Sequence, residues 1–158
     1  MWWRLSRREF EQRQGDGNRR AMKGLVESGC VPGILGYEDG KAVAWCSVAP
    51  RHDFASLERS RVLKRLDELP VWSIVCFFVA KEHRGRGTLL ALIRAAVDHV
   101  RRHGGAVVEA YPTVPKNGRL APVSSFMGLP EVFAEAGFVE CARPSASKRI
   151  LRFYIDEV

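Results

Sequence analysis

The sequence predicts an α/β domain in which one parallel strand–helix–strand unit is embedded in an otherwise antiparallel sheet. Three observations predict it. A nearly continuous apolar run, Val71 to Val79, leads through a glycine-bearing turn, His83 to Leu89, into a long amphipathic stretch that Gly104 and Gly105 stop. Such a run is what a central strand covered on both faces requires, and the next apolar segment, Ala106 to Tyr111, then lies parallel to it if the crossover is an ordinary βαβ unit. Upstream, apolar runs flank Asp39-Gly40, the strongest hairpin signal in the chain.

The elements follow in order. Met1 to Leu5 is short, aromatic and β-prone, and reads as a first strand or the remnant of one whose upstream residues are missing. Ser6 with Glu9 makes a capping box for a helix that fails at Gly15-Asp16-Gly17. Asn18 caps a second helix, with Ala21, Met22, Leu25 and Val26 inside and Gly29 at its end. The hairpin spans Val31 to Pro50. After a loop, Leu57, Val62, Leu63 and Leu66 form a partial helical stripe within Ser56–Glu68, terminated by Pro70. In the long helix, Leu89, Ile93, Ala96 and Val100 share one stripe. Pro112 to Pro122 is a loop, Pro130 to Ala136 a short helix ending at Gly137, and Phe138–Ala142 and Arg149–Asp156 are two closing strands.

Bulk properties narrow the function. A chain of 158 residues, 46% hydrophobic, suits a single domain over 1–158 with an adequate core. No apolar stretch approaches the length of a membrane span, and MWWRLSRREF lacks the core and cleavage site of a signal peptide, so a cytoplasmic protein is expected. The net charge of +7 comes from 25 basic residues interleaved with 18 acidic ones. The densest patch, Arg4 to Lys23, is broken by Glu9, Glu11 and Asp16 and reads as a solvated helix face. Nucleic acid is therefore the weakest of the partner classes, while the surplus charge also suits a polyanionic small ligand. Cys30, Cys46, Cys76 and Cys141 are far apart with no C-x-x-C pair, which favours reduced thiols over disulfides or zinc. A thiol nucleophile has no candidate base adjacent in sequence.

The turn carries the chemistry. A strand feeding a helix through such a turn leaves backbone N–H groups without intrahelical partners, at the positive end of the helix dipole. Gly85 and Gly87 remove the Cβ atoms that would hold a phosphate off the backbone, and Arg84 and Arg86 add charge. The plain alternative is an ordinary strand-to-helix turn. The Walker pattern is absent, and the dinucleotide fingerprint lacks its third glycine, where Leu90 stands.

Val79 to Leu89, V-A-K-E-H-R-G-R-G-T-L, resembles the acyl-CoA-binding motif of the GNAT N-acetyltransferases, in which a valine ends the fourth strand and R/Q-x-x-G-x-G/A opens the next helix. Phe133 to Phe138, FAEAGF, resembles that family's closing Y-x-x-x-G-F segment, and the element order matches over essentially the whole chain. The resemblance implies a GNAT fold: a mixed, mostly antiparallel sheet with a central parallel βαβ unit and splayed fourth and fifth strands. It implies acetyl-CoA, or another acyl-CoA, as co-substrate. Backbone groups of Phe77, Phe78 and Val79 would pair with the pantetheine arm, and the amides of Arg84, Gly85, Arg86, Gly87, Thr88 and Leu89 would hold the pyrophosphate. An amine of a small molecule or peptide would attack the thioester directly, with a strand N–H stabilising the developing oxyanion.

The sequence departs from that pattern at three places. Leu89 replaces the small residue that ends the phosphate motif. Phe133 stands where many relatives have a tyrosine that protonates the departing thiolate, and Phe126 where an asparagine often contacts the cofactor. These losses motivate a second reading, an acyl-CoA-binding sensor or partner module of the same fold.

Other residues supply candidate acids and bases. Glu109 and Tyr111, two apart on the strand after the helix, share one face; on the substrate side they would be base and acid, and otherwise a rim or salt-bridged pair. His52 and Asp53 are a second option. His99 and His103 have metal-pair spacing but no clear third ligand, and no metal is expected. Trp45 and Trp72 read as core rather than a substrate cage, and Lys116 and Arg119 could edge the acceptor site.

Overall fold

The computed structural model describes residues 1–115 and 126–155. Lys116 and Arg119 lie outside the described residues. Helices α1 (Arg7–Gln12) and α2 (Asp16–Glu27) precede the hairpin β1 (Ile34–Glu38) and β2 (Lys41–Pro50). A 3-10 turn and the one-turn helix α3 (Ala55–Glu58) lead to β3 (Val71–Val79), then α4 (Thr88–Arg102) and β4 (Val107–Ala110). Helix α5 (Pro130–Glu135) precedes the closing strands β5 (Val139–Ser145) and β6 (Lys148–Tyr154). The six strands form one sheet in the order β1-β2-β3-β4-β6-β5, parallel only between β3 and β4.

The local signals act as their chemistry dictates. Ser6 and Glu9 form both bonds of the capping box. Asp39 and Gly40 both take positive φ, 48° and 74°, the backbone of a type I′ turn that joins β1 tightly to β2. The apolar side of α4 buries Leu92, Ile93, Ala96, Val97 and Val100 against Ile74, Phe77 and Val108 of the sheet. On the opposite face, Phe54, Leu57, Leu63, Val75, Tyr111, Met127 and Ile150 make a second cluster.

Three expectations are corrected. Met1 to Leu5 is a turn, closed by the Arg4 and Leu5 amides on the Met1 carbonyl, with Trp3 packed on the second cluster. Asn18 is not a cap: α2 starts at Asp16, and the Asn18 side chain donates instead to the Phe10 carbonyl at 3.0 Å. The stripe from Ser56 to Glu68 is helical only over Ala55–Glu58. Arg51 draws the carbonyls of Leu57 and Leu63 to its guanidinium, at 3.4 and 2.6 Å, and the Ser60 hydroxyl accepts from the Leu63 amide. The Leu57 carbonyl serves both Arg51 and the Ser60 amide, and beyond Ser60 the chain follows these side-chain contacts instead of a helical ladder.

The sheet opens at its centre. Pairing between β3 and β4 runs from Val71↔Val107 to Ile74↔Ala110 and stops there, while β3 continues to Val79. Among the described residues no strand forms ahead of β1, so these two stand where the resemblance puts the fourth and fifth strands.

Candidate acyl-CoA site

A cavity of about 790 Å³ lies where β3 outruns β4, between the end of β3, the start of α4 and α5. Phe77, Phe78, Val79, Arg84, Gly85, Gly87, Thr88 and Leu89 all line it. Arg86 does not; it faces a second, smaller cavity beside β1. The turn itself explains the geometry. Gly85 and Gly87 have φ of +71° and +78°, where a side chain is strained, and a Cβ built on either would meet no protein atom within 4 Å. That open, left-handed bend turns the amides outward. Among the described residues no side chain caps α4, and no carbonyl accepts from the N–H of Gly85, Arg86, Gly87, Thr88 or Leu89. The Arg84 amide differs, being turned back on the Lys81 carbonyl at 3.3 Å.

Side chains brace the turn rather than fill it. The Thr88 hydroxyl donates to the His83 carbonyl at 2.9 Å, and the Arg84 Nε donates to the Val79 carbonyl at 2.9 Å. His83 Nδ1 meets Glu38 at 2.5 Å, tying the turn to the hairpin. The first turn of α4 holds no acidic residue. With Arg84, Arg86 and the helix dipole the site is electropositive, which fits a phosphate group carried on backbone amides.

Sequence reasoning missed several lining residues: His83, Leu90, Leu129, Val132 and Glu135. His83 opens the glycine turn, and Val132 and Glu135 flank Phe133 within or beside the FAEAGF segment, so position relative to the motifs was the available signal. Phe126 also lines the cavity, 38% exposed. Phe133 does not. It is fully buried between Phe77 and Phe138, with ring centroids at 6.0 and 5.0 Å.

The remaining candidates are elsewhere. Glu109 and Tyr111 are fully buried on the sheet face opposite α4 and line no part of the cavity. Glu109 sits opposite Ser73, four residues before Phe77, which is about 13 Å along a strand. Its Oε1 accepts from Arg51 at 3.0 Å and from the Tyr111 hydroxyl at 2.6 Å, and its Oε2 accepts from Arg152 Nε at 2.7 Å. Tyr111 also accepts from Arg51 at 2.8 Å and from the Ser73 hydroxyl at 2.8 Å. Burial, with the Glu109 carboxylate adding to it, pushes the Tyr111 phenol well above its ordinary value. Burial works against the Arg51 charge, but Tyr111, Glu109 and Glu58 outweigh it and hold the guanidinium protonated. Arg152 grips Asp67 with both terminal nitrogens, at 2.6 and 3.0 Å, which raises its own pKa and lowers that of Asp67. The geometry is that of the salt-bridged alternative.

His52 is exposed, 3.4 Å from Asp53, and neither lines the cavity. His99 and His103 stack on each other, 4.2 Å between centroids, and both lie against Trp72. His103 Nδ1 is held by the His99 carbonyl at 2.7 Å. All four cysteines are free, with Cys46 buried and Cys76 half-buried. The basic N-terminal helices carry exposed pairs, Arg7–Glu11, Arg19–Asp16 and Lys23–Glu27. Among the described residues no helix is long and apolar enough to cross a membrane.

Known proteins share this architecture. A putative acetyltransferase from Salmonella typhimurium, solved with its cofactor acetyl-CoA, is 18% identical over 91% of this chain and 76% of its own, at a TM-score of 0.57. A GNAT-family acetyltransferase from Streptococcus agalactiae is 15% identical over 93% and 79%, at 0.56. The ribosomal-protein-alanine N-acetyltransferase of Brucella melitensis is 16% identical over 89% and 78%, at 0.54. No curated protein matches the sequence. At these identities the structures speak for the fold alone, but the model of the Acetyltransferase (GNAT) family matches residues 1–121, through the hairpin, the glycine turn and α4. The chain belongs to the GNAT acetyltransferase family.

Proposed function

We propose that this chain is an acyl-CoA-dependent N-acetyltransferase, moving an acetyl or related acyl group from coenzyme A to a primary amine by direct attack. The observation that carries the reading is the run of amides from Gly85 to Leu89, none engaged by a carbonyl of the described residues, beside the cavity where β3 outruns β4. Gly85 and Gly87 let a pyrophosphate approach those amides, and the charges of Arg84 and Arg86 favour it. Phe77 and Val79 direct backbone groups along the strand edge, with the Phe77 amide held by the Phe126 carbonyl and the Val79 carbonyl by Arg84 Nε, and Phe78, 56% exposed, gives the opening an apolar wall. Bound acetyl-CoA supplies an acetyl thioester open to attack by a free amine. The name of the Brucella neighbour makes a protein amine one candidate acceptor, beside small amines.

Glu109 and Tyr111 act in this reading as architecture. Both carboxylate oxygens of Glu109 accept from buried donors, three bonds in all, and the residue does not line the cavity. Calorimetric titration with acetyl-CoA tests the proposal. Saturable binding is expected, and Gly87→Val should weaken it about tenfold or more, because the φ of +78° suits no β-branched residue. A heat trace with no acetyl-CoA binding by the folded wild-type protein overturns the reading.

A further inference from the structure

The free edge of β3 is not bare. Strand alternation sends the Ala80 amide to the Val43 carbonyl on β2, so the amides of Phe77 and Val79 point the other way, into the opening. The Phe77 amide already has a partner there: the Phe126 carbonyl, at 2.6 Å. Two residues on, the Gly128 carbonyl accepts from the Thr113 amide at 3.3 Å, just beyond β4. Phe126 to Gly128 therefore spans the gap that opens between β3 and β4.

Each residue of this short bridge is specified differently. Phe126 lines the cavity and is 38% exposed. Met127 is buried in the cluster on the far face, where its sulfur receives Lys148 Nζ at 3.0 Å. Gly128 has φ of +82°, and a Cβ there would lie 2.8 Å from the Phe133 ring and 3.3 Å from Phe77. A glycine is the residue this bend admits.

We propose that Phe126–Gly128 is a displaceable plug, and that an acyl-CoA carbonyl enters the opening by taking the Phe77 amide from Phe126. This rests on the acyl-CoA reading above. The amide faces a half-buried, largely apolar opening and cannot be left without an acceptor, so one carbonyl must replace another. The exchange conserves the number of hydrogen bonds, which makes it cheap in free energy while still requiring the bridge to move. The amide that the strand offers to a ligand is thus masked until the ligand arrives.

The test is the scalar coupling across the hydrogen bond from the Phe77 nitrogen to the Phe126 carbonyl carbon, measured by NMR on labelled wild-type protein. The coupling is expected in the free protein and lost at saturating acetyl-CoA, while the Gly85 to Thr88 amide resonances shift. Its absence from the free protein, or its persistence once those resonances have shifted, overturns the plug. If acetyl-CoA moves none of the Gly85 to Thr88 resonances, the acyl-CoA reading itself fails and the plug falls with it. Gly128→Ala adds a kinetic check. Strain in the bridge should raise the limiting rate of acetyl-CoA binding in stopped flow by about tenfold, the factor that one left-handed non-glycine residue provides. An unchanged limiting rate in a folded variant counts against it.

Discussion

Replacing Glu109 by Gln separates architecture from catalysis. The carboxylate is fully buried and accepts three hydrogen bonds, from Arg51 at 3.0 Å, Tyr111 at 2.6 Å and Arg152 at 2.7 Å. Gln keeps the shape but removes the charge, and it puts an amide donor where a guanidinium or phenol already donates. Arg51 is left especially exposed to the loss. Every one of its N–H groups is engaged inside the protein, with Glu58, Glu109, Tyr111 and the carbonyls of Leu57 and Leu63. Breaking a buried pair in this way costs about 3–5 kcal/mol. For a domain of this size each kcal/mol lowers Tm by about 2–4 °C, so a drop of roughly 6–20 °C is expected.

Urea unfolding followed by tryptophan fluorescence measures the stability, and thiol release from acetyl-CoA with an accepted amine measures turnover. Below its transition, the variant should retain kcat within about twofold, since the residue is remote from the cavity. The opposite pattern refutes the reasoning. Stability within about 1 kcal/mol of wild type, with kcat reduced about a hundredfold, is the signature of a lost general base.

Phe133→Tyr adds a hydroxyl beside Gly128 in a closed aromatic cluster, and should cost about 1–3 kcal/mol in urea unfolding without raising kcat. A tenfold gain in kcat would instead mean that the hydroxyl reaches the reacting sulfur. The raised Tyr111 pKa makes stability fall with alkali: the unfolded chain ionises this phenol near its ordinary value while the folded one resists, so stability is intact below about pH 10 and lost above it. Absorbance at 295 nm should show Tyr111 ionising only as the protein unfolds. At the acid end, Arg152 holds Asp67 below its ordinary value, so its contribution is present above about pH 4 and fades as pH falls through the folded pKa. Asp67→Asn should shift the acid unfolding midpoint upward.

What the sequence made legible was local. The hairpin needs only Asp39-Gly40 between apolar runs, and the turn needs two glycines, two arginines and a helix behind them. In each the deciding interactions lie within a few residues, so residue type and spacing carry the information. The stripe from Leu57 to Leu66 failed for the converse reason. Two of its carbonyls, those of Leu57 and Leu63, accept from Arg51, and nothing in residues 56 to 68 announces a guanidinium arriving from outside.

Glu109 and Tyr111 mark the same boundary at the level of function. Alternation correctly puts them on one face, and both touch each other at 2.6 Å. Which face was wet could not come from alternation, because that depends on Arg51 at the end of β2 and Arg152 on β6, 58 and 43 residues away. A carboxylate flanked by apolar residues on a central strand has two fates, a ligand-facing base or a partner for buried cations. Here Arg51 and Arg152 decide it in favour of pairing. The same logic applies to the candidate site at the turn, which draws on backbone amides. Backbone donors need no partner elsewhere in the sequence, so a cavity walled by Phe77, Phe78 and Val79 and floored by Gly85 and Gly87 can be read from one contiguous stretch. The groups that would complete the chemistry come from segments brought together only by the fold, as Phe126 is brought to Phe77.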